Sequence, residues 1–461
     1  MNKDLLLSKI RNGNEMTRHE QLSLVASLSV PAMLSQLSTI VMEYIDASMV
    51  GSLGAKASAA IGLVSTTIWL FGGICHSASA GFYVQVAHQI GANRFGDARN
   101  ILRQSLVCSL ILSLLLALIG IGISPLLPQW LGGAPEIQAD ASIYFAVSAG
   151  MLPFMIFMAL GGGMLRCSGD IKIPSLLNVL ACGLDVVFNY IFIFLFDMGV
   201  MGAAIGSACA YATAALIMVW YMIWRSKELR LNQDPTSKRD FRPQRRTLSK
   251  WWKIALPMGV EHAVMCGAQI TSTIIIAPLG TIAIAAHAFG IIIEGLCYMP
   301  GHGIADAATT LVGQSLGARR ETLARSFARH TVTTGIVFMS LMAVVMYLFA
   351  PHVMALMTPD IDVQQLTTQI LRIEAFAEPM YAASIVCYGV FIGAGDTLVP
   401  CAMNLGSMWA IRITLALLCT KVWGLGLVGI WTAMAIELCF RGIIFLLRLR
   451  GSSWMRKIKT E

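Results

Sequence analysis

Apolar runs long enough to cross a membrane recur along the chain at 22–47, 58–83, 102–124, 140–162, 174–197, 201–224, 252–277, 282–308, 330–350, 369–393, 400–420 and 426–447. A hydrocarbon core of ~30 Å needs ~20 helical residues. The pattern therefore predicts twelve membrane-spanning helices. The first twenty residues hold no apolar core followed by a small-residue cleavage site, so no cleaved signal peptide is expected and the first span acts as the targeting signal.

The pattern also repeats. Shifted by 226 positions, Pro31 falls on Pro257, Pro125 on Pro351, Pro153 on Pro379 and Pro174 on Pro400, which puts eight of the 15 prolines in register. Gly54 and Gly280, Gly91 and Gly317, Gly169 and Gly395, Asp170 and Asp396, and Asn178 and Asn404 coincide at the same shift. AHQIGANRFGDAR at 87–99 accordingly returns as GQSLGARRETLAR at 313–325. Such agreement at one offset marks an internal duplication. Each half holds six spans, an even number, so both halves start on the same side. The expected fold is an all-α membrane protein of twelve transmembrane helices. Its two six-helix lobes are related by a parallel pseudo-two-fold along the membrane normal, with a substrate site between them near mid-membrane.

Composition agrees: 56% apolar, 13% charged and a mean hydropathy of +0.70, against about 25% charged in soluble domains. The net charge of +8 is a topology signal. Of 33 Lys and Arg, 27 lie in alternate segments outside the spans or, for Lys253, at the edge of one, and only Lys56 and Lys421 lie in the segments between; Arg103, Arg372, Arg412 and Arg441 fall within spans. The excess places both termini and residues 225–253 in the cytoplasm; the expected location is the plasma (bacterial inner) membrane. It also removes the need for a nucleic-acid partner. RSKELRLNQDPTSKRDFRPQRRTLSK at 225–250 is the one long polar stretch, read as a solvated connector between an N-lobe (1–224) and a C-lobe (251–461).

The 11 cysteines form no CxxC pair and read as small hydrophobes. GLGLVG at 424–429 fits GxGxxG, but it opens an apolar span with no preceding strand, so it reads as a tight turn or close helix packing. HExxH and GxSxG do not occur. An intramembrane enzyme is thus the weakest reading.

Ionisable groups inside spans are costly unless they face partners or water. Gln36, Thr39, Glu43 and Asp46 are spaced 3, 4 and 3 on one helix face, and Asn178, Asp185 and Asn189 follow at 7 and 4. The second half has Glu261 and Gln269, then Glu294, Tyr298, His302 and Asp306, then Glu374, Glu378, Tyr381 and Tyr388. Carboxylates so placed can exchange a proton or hold a small hard cation such as Na⁺, with Asp46, Asp185 and Glu261 the candidates for Na⁺. Glu294 and Glu378 carry Tyr298 and Tyr381 one turn on, suited to cation–π contact from a cleft wall. Glu437 and Arg441, one turn apart, read as an internal ion pair. His302, two residues after Pro300, reads as filling a kink. Asp170 and Asp396 follow glycines and read as shaping turns. Glu43 and Asp306 are also compatible with exposure near the membrane surface.

These residues resemble the multidrug and toxic compound extrusion (MATE) transporters over nearly the whole chain. The resemblance rests on DASMVGSLG, HQIGANRFGDAR, LRCSGDIKIPSLLN, APLGTIAIAAHAFGIIIEGLCYMPGHGIADAATTLVGQSLGA and GVFIGAGDTLVP. It implies two lobes forming a V and export of organic, often cationic, compounds against inward H⁺ or Na⁺. Small organic molecules and membrane lipids are the expected partners, the coupling ion is the only accessory, and a monomer is the expected state. Asp46 matches the first-helix aspartate of the DinF-like members, whose fifth helix carries Asn then Asp one turn apart; here Asp185 precedes Asn189. The NorM-like cation site instead falls on Met265 and Tyr381, with Glu261 and Glu378 one turn away. A lipid-linked precursor flippase of the same superfamily is the alternative, with Arg412 its main cationic candidate.

Overall fold

The computed structural model describes residues 3–231 and 241–458; the linker stretch 232–240 lies outside the described residues. Helices account for almost all of it, with no strand among the described residues. They are α1 (Lys3–Arg11), α2 (Arg18–Ser52), α3 (Ala55–Gly91), α4 (Phe95–Ile123), α5 (Leu127–Trp130), α6 (Pro135–Gly150), α7 (Leu152–Ser168), α8 (Lys172–Tyr190) and α9 (Gly199–Trp224) in the first half. The second half holds α10 (Arg245–Ile276), α11 (Thr281–Gly317), α12 (Glu321–Met357), α13 (Ile361–Ala375), α14 (Glu378–Gly393), α15 (Leu398–Gly406), α16 (Thr414–Lys421) and α17 (Gly426–Arg450). Ten helical runs are long and apolar enough to span a membrane, and the bent pairs α6–α7 and α13–α14 bring the number to twelve. The protein is an integral membrane protein of two six-helix lobes.

Both bends fall at one place in the repeat. The turn is 43° after Gly150 and 57° after Ala375, next to Pro153 and Pro379, which sit 226 apart. Proline lacks the N–H for the helical ladder and its ring crowds the preceding turn. The expected fourth and tenth spans, 140–162 and 369–393, are therefore each broken and extended. Backbone conformation repeats too: φ is +104° at Gly54 and +96° at Gly280, and +58° at Asn93 and +59° at Arg319.

The lobes exchange partners at the interface, α2 packing on α11 and α3 on α10. Polar links between them gather at one end. The His88 ring nitrogen Nε2 lies 2.8 Å from the Gly393 carbonyl, and Gln314 Nε2 donates to the Cys167 carbonyl at 2.7 Å. These are the same two contacts under the 226 shift. Between them the backbones of α3 and α11 cross so closely that a Cβ on Gly91 would lie 2.1 Å from the Gln314 oxygen, and one on Gly317 2.1 Å from the His88 oxygen. Trp251 Nε1 donating to the Ala78 carbonyl (2.8 Å) and the Arg166–Asp306 pair (3.5 Å) extend the closure. His262, 3.1 Å from the Trp69 carbonyl, marks its far limit. The amphipathic α1 seals this end, burying Leu6, Leu7 and Ile10 against α2, α11 and α12. Arg320 donates to the Lys9 carbonyl at 2.9 Å.

Two loop expectations are corrected. The linker does not begin as a free connector: Leu229 and Ser226 are buried, Arg11 pairs with Glu228 at 3.3 Å, and Arg99 donates to the Glu228 carbonyl. Asp170 and Asp396 do more than shape turns. The turns belong to Gly169 (φ +96°) and Gly395 (φ +73°), while Asp170 accepts from Tyr221 on α9 at 3.0 Å and Asp396 pairs with Arg448 on α17. Each aspartate thus ties its turn to the last helix of its lobe. At GLGLVG, Gly424 (φ +62°) and Gly426 (φ +58°) form the expected tight turn before α17.

Candidate functional site

In the N-lobe, the polar faces of α2 and α8 meet. Asn189 Nδ2 donates to Asp46 Oδ1 at 3.0 Å and to Asp185 Oδ2 at 3.2 Å, joining both carboxyl groups through one amide. Asp185 and Asn189 are buried and Asp46 is half-buried. The approach depends on α9, where a Cβ on Gly206 would stand 2.0 Å from Asn189 Oδ1. Immediately after Asn189 the helix widens into a π segment, Ile191–Leu195, a distortion that recurs at functional sites. Among the described residues, no basic side chain pairs with Asp46 or Asp185, and Asp185 Oδ1 and Asn189 Oδ1 have no hydrogen-bond partner. The arrangement is an oxygen-rich nest that can take up a proton or a small hard cation.

Tyr144 on α6, and Tyr211 and Ser207 on α9, complete the surroundings of the two acids. Sequence reading missed these three, since isolated hydroxyls in apolar helices carry no periodic signal. Glu43 is exposed; it lies in electrostatic range of Asp46 and, across the lobe boundary, of Tyr298. Asn178 has a separate task. Its Nδ2 donates to Ser35 Oγ (2.9 Å) and Thr39 Oγ1 (3.1 Å), pinning α8 to α2 two turns from Asp185.

The C-lobe reuses that last position with other chemistry. Asn404, the repeat of Asn178, donates to Glu261, the repeat of Ser35, at 2.5 Å. Tyr388 donates to the other Glu261 oxygen. Glu261 is therefore buried and fully engaged between α10, α14 and α15, apart from the other acids.

Those others form a cluster around two arginines. Glu437 accepts from Arg412 at 2.7 and 3.0 Å, pairs with Arg441 at 3.1 Å and accepts from Ser407 at 2.7 Å. The expected Glu437–Arg441 pair is present, with Arg412 as a second partner. Glu294 and Glu374 lie in range of this group, Glu378 lies in range of Glu294 and Glu374, all three are buried, and all four oxygens of Glu374 and Glu378 lack hydrogen-bond partners. The bend supplies the reason: Glu374 ends α13 and Glu378 begins α14, so the broken turn brings both into the lobe. Tyr298 and Tyr381 pack with their rings tilted by 50° and centroids 5.4 Å apart, and the Arg441 guanidinium lies 5.5 Å from the Tyr381 ring. Two expectations change here. Glu261, Glu294 and Glu378 are buried within the lobe instead of lining a cleft wall, and the Tyr381 ring already receives an internal cation.

Between the lobes, His76 and Arg166 from the first half meet His262, His302 and Asp306 from the second. His302 stands edge-on to Tyr298 at 6.0 Å, and both it and His76 are exposed. His302 thus does more than fill a kink, and Asp306 pairs across the lobe boundary. This polar floor lies just above the closed end. The 11 cysteines are all unbridged, as small apolar fillers would be.

The comparisons with known proteins follow the same duplication. A Thermotoga maritima protein named probable multidrug resistance protein NorM is 26% identical over 439 residues, covering 93% of this chain and 92% of its own length. A Yersinia pestis protein named multidrug resistance protein MdtK is 25% identical over 458 residues, covering 96% and 97%. Among solved structures, a MATE crystallised with MaL6 superimposes with a TM-score of 0.89 at 22% identity over 99% of both chains. An outward-facing multidrug resistance MATE family transporter of the MOP superfamily gives 0.88 at 22%, covering 96% and 97%. The MatE family model matches twice, at residues 31–191 and 257–418, once per lobe and with its starts 226 residues apart; the chain belongs to the MatE family.

Proposed function

We propose that this chain is a secondary multidrug antiporter. It exports organic, often cationic, compounds in exchange for H⁺ or Na⁺, by alternating access and without chemical change to the substrate. The observation that carries this reading is the N-lobe nest, in which one amide joins Asp46 and Asp185 with no basic residue to neutralise them. Structural acids in apolar surroundings are normally paired with a cation, so a pair left for an exchangeable one suits coupling. Asp46, Asp185 and Asn189 form the coupling site, Glu43 leads to it from the cleft, and Asn178 sets the helix spacing. In the C-lobe, Glu294 and Glu378, with Glu374, supply the negative potential that draws a cationic substrate or the ion, with Tyr298 and Tyr381 beside them, and Glu261, held separately by Asn404 and Tyr388, is a second acid for that ion. With Arg412 already committed to Glu437 and Arg166 to Asp306, little positive charge is left to meet a lipid-linked phosphate, which disfavours the flippase reading.

The lobes are 1–224 and 251–461 with a linker at 225–250, working as a monomer in the bacterial inner membrane, and both termini are cytoplasmic. The latched end of the interface is then the cytoplasmic one, and the state described here is outward-facing. Single cysteines replacing Thr236, Lys56 and Lys421 in a background without reactive thiols test the orientation. An impermeant maleimide applied to intact cells is expected to label the Lys56→Cys and Lys421→Cys proteins and to spare Thr236→Cys until the membrane is opened. External labelling of Thr236→Cys overturns the orientation.

The function itself is tested in cells lacking other exporters. Expression of the chain is expected to lower steady-state accumulation of cationic dyes. Glu294→Gln and Glu378→Gln each remove one potential charge from the C-lobe. A unit charge about 8 Å away acts with roughly 2 kcal/mol at an effective dielectric of about 20, so apparent affinity for cationic substrates should fall about thirtyfold. Neutral substrates should change little. Equal loss for both classes contradicts the assignment.

A further inference from the structure

Outside the lobe interior, one intramembrane charge has no task in the account above. Arg372 lies on the outer face of the C-lobe, eleven residues into α13, about 16 Å along the helix. It is exposed, and its contacts are the Tyr347 carbonyl (3.4 Å from Nε) and the Tyr347 ring (5.1 Å). Among the described residues, no carboxylate is paired with it. An arginine within a span is costly unless it finds a partner, and a single cation–π contact offsets only part of that.

Arg372 does not stand alone. Gln365, Gln369, Arg372 and Phe376 succeed one another at 4, 3 and 4 residues, all exposed on one face of α13. That face lines a groove of about 1000 Å³ between α12, α13 and α17, at the upper end of the size that holds a drug-sized molecule. The opposite wall is apolar, with Ile436, Phe440 and Ile443 on α17. The Arg372 guanidinium rests on Tyr347 of α12, and Gln369 and Gln365 lie on the same face of α13 one and two turns nearer its start at Ile361. The groove is polar toward the surface and apolar toward mid-membrane, where the break before Glu378 widens it.

The duplication provides an internal comparison. At the matching positions of α6 the first half has Ala139, Ile143, Ala146 and Gly150. The scaffold therefore does not require this polar ladder, and the second half carries it as an addition.

We propose that the groove is a binding site for an anionic phospholipid drawn from the leaflet into which α13 enters. Its phosphate sits against Arg372 and the glutamine amides, and an acyl chain lies along Ile436, Phe440 and Ile443. Charge complementarity selects this occupant: a cationic amphiphile meets Arg372 directly, and a neutral one leaves the guanidinium unanswered. Charge-assisted hydrogen bonds to a phosphate supply what Tyr347 does not.

Native mass spectrometry of the detergent-purified full chain, titrated with phosphatidylglycerol or with phosphatidylcholine of the same acyl chains, tests this. Wild type is expected to retain one more phosphatidylglycerol than phosphatidylcholine. Arg372→Gln should remove that one lipid, weakening its apparent affinity about tenfold, as loss of a charged hydrogen bond does. Ile443→Trp, at a lipid-exposed position that the fold does not need, fills the apolar wall while keeping Arg372 and should give the same loss. Leu118→Trp, exposed on the N-lobe, should leave it unchanged. Equal retention of the two lipids by wild type, a phosphatidylglycerol preference that survives both Arg372→Gln and Ile443→Trp, or equally tight binding of a cationic amphiphile overturns the proposal.

Discussion

Asp46→Asn and Asp185→Asn will each reduce gradient-driven export to the background of an empty membrane, while the protein stays folded and inserted. The two carboxyl groups share one donor, Asn189 Nδ2, at 3.0 and 3.2 Å, so removing either charge dismantles one oxygen-rich site. Neither substitution opens a cavity or strands a basic partner, and the usual large destabilising mechanisms are absent. An amide in place of Asp185 can still accept from Asn189. What it cannot do is bind and release a proton or balance a monovalent cation. Transport assays at matched expression, with circular dichroism as the folding control, decide the matter. Wild-type export by either variant removes that aspartate from coupling. Asn178→Ala is the useful contrast, since it breaks helix contacts to Ser35 and Thr39 and should lower thermal stability more than turnover.

Gly91→Val and Gly317→Val carry the other large effect. Each would place a Cβ 2.1 Å from a backbone oxygen of the opposite lobe, well inside the ~3.3 Å of a close carbon–oxygen contact. The obstacle is backbone on both sides, so no side chain can swing away. The crossing of α3 over α11 must open, carrying with it the His88–Gly393 and Gln314–Cys167 links. Overpacking costs about 1–3 kcal/mol or more, enough to shift a two-state equilibrium about fivefold or beyond. Both variants should therefore populate a state open at the latched end, seen as faster thiol labelling of cysteines placed beside Gly313 and Ser168, with export lost. Because the contacts are repeats of each other, the two effects should match in size. Gly122→Val, with nothing within 4 Å of its Cβ, should behave as wild type. Unchanged labelling in both interface variants shows that the crossing does not hold the lobes together.

The sequence carried the fold well because hydropathy, proline register and Lys/Arg placement are each strong and independent. It hid the bends at Gly150 and Ala375, since the apolar runs continue through Pro153 and Pro379 without a dip. In the N-lobe, the 3, 4, 3 spacing from Gln36 to Asp46 and the four-residue step from Asp185 to Asn189 already showed two polar faces; their meeting through Asn189, and the supporting Tyr144, Ser207 and Tyr211, depend on three-dimensional packing. The C-lobe was harder. Its acids fall on five helices, and Glu437 finds Arg412 from 25 residues away as well as Arg441 one turn on. One signal was available for Glu261. Asn178 and Asn404 are repeats, as are Ser35 and Glu261, so a contact at one pair of positions implies the other, and Glu261 belongs with Asn404 and not with Glu294 and Glu378.

Purified chain in proteoliposomes, loaded with a fluorescent organic cation and given a Na⁺ gradient and a pH gradient in separate experiments, measures the central claim. Antiport through the Asp46–Asn189–Asp185 nest requires that one of the two gradients drive uphill movement of chemically unaltered dye, and that the driven component vanish in Asp185→Asn. Dye movement that ignores both gradients, or that persists undiminished in Asp185→Asn, contradicts it.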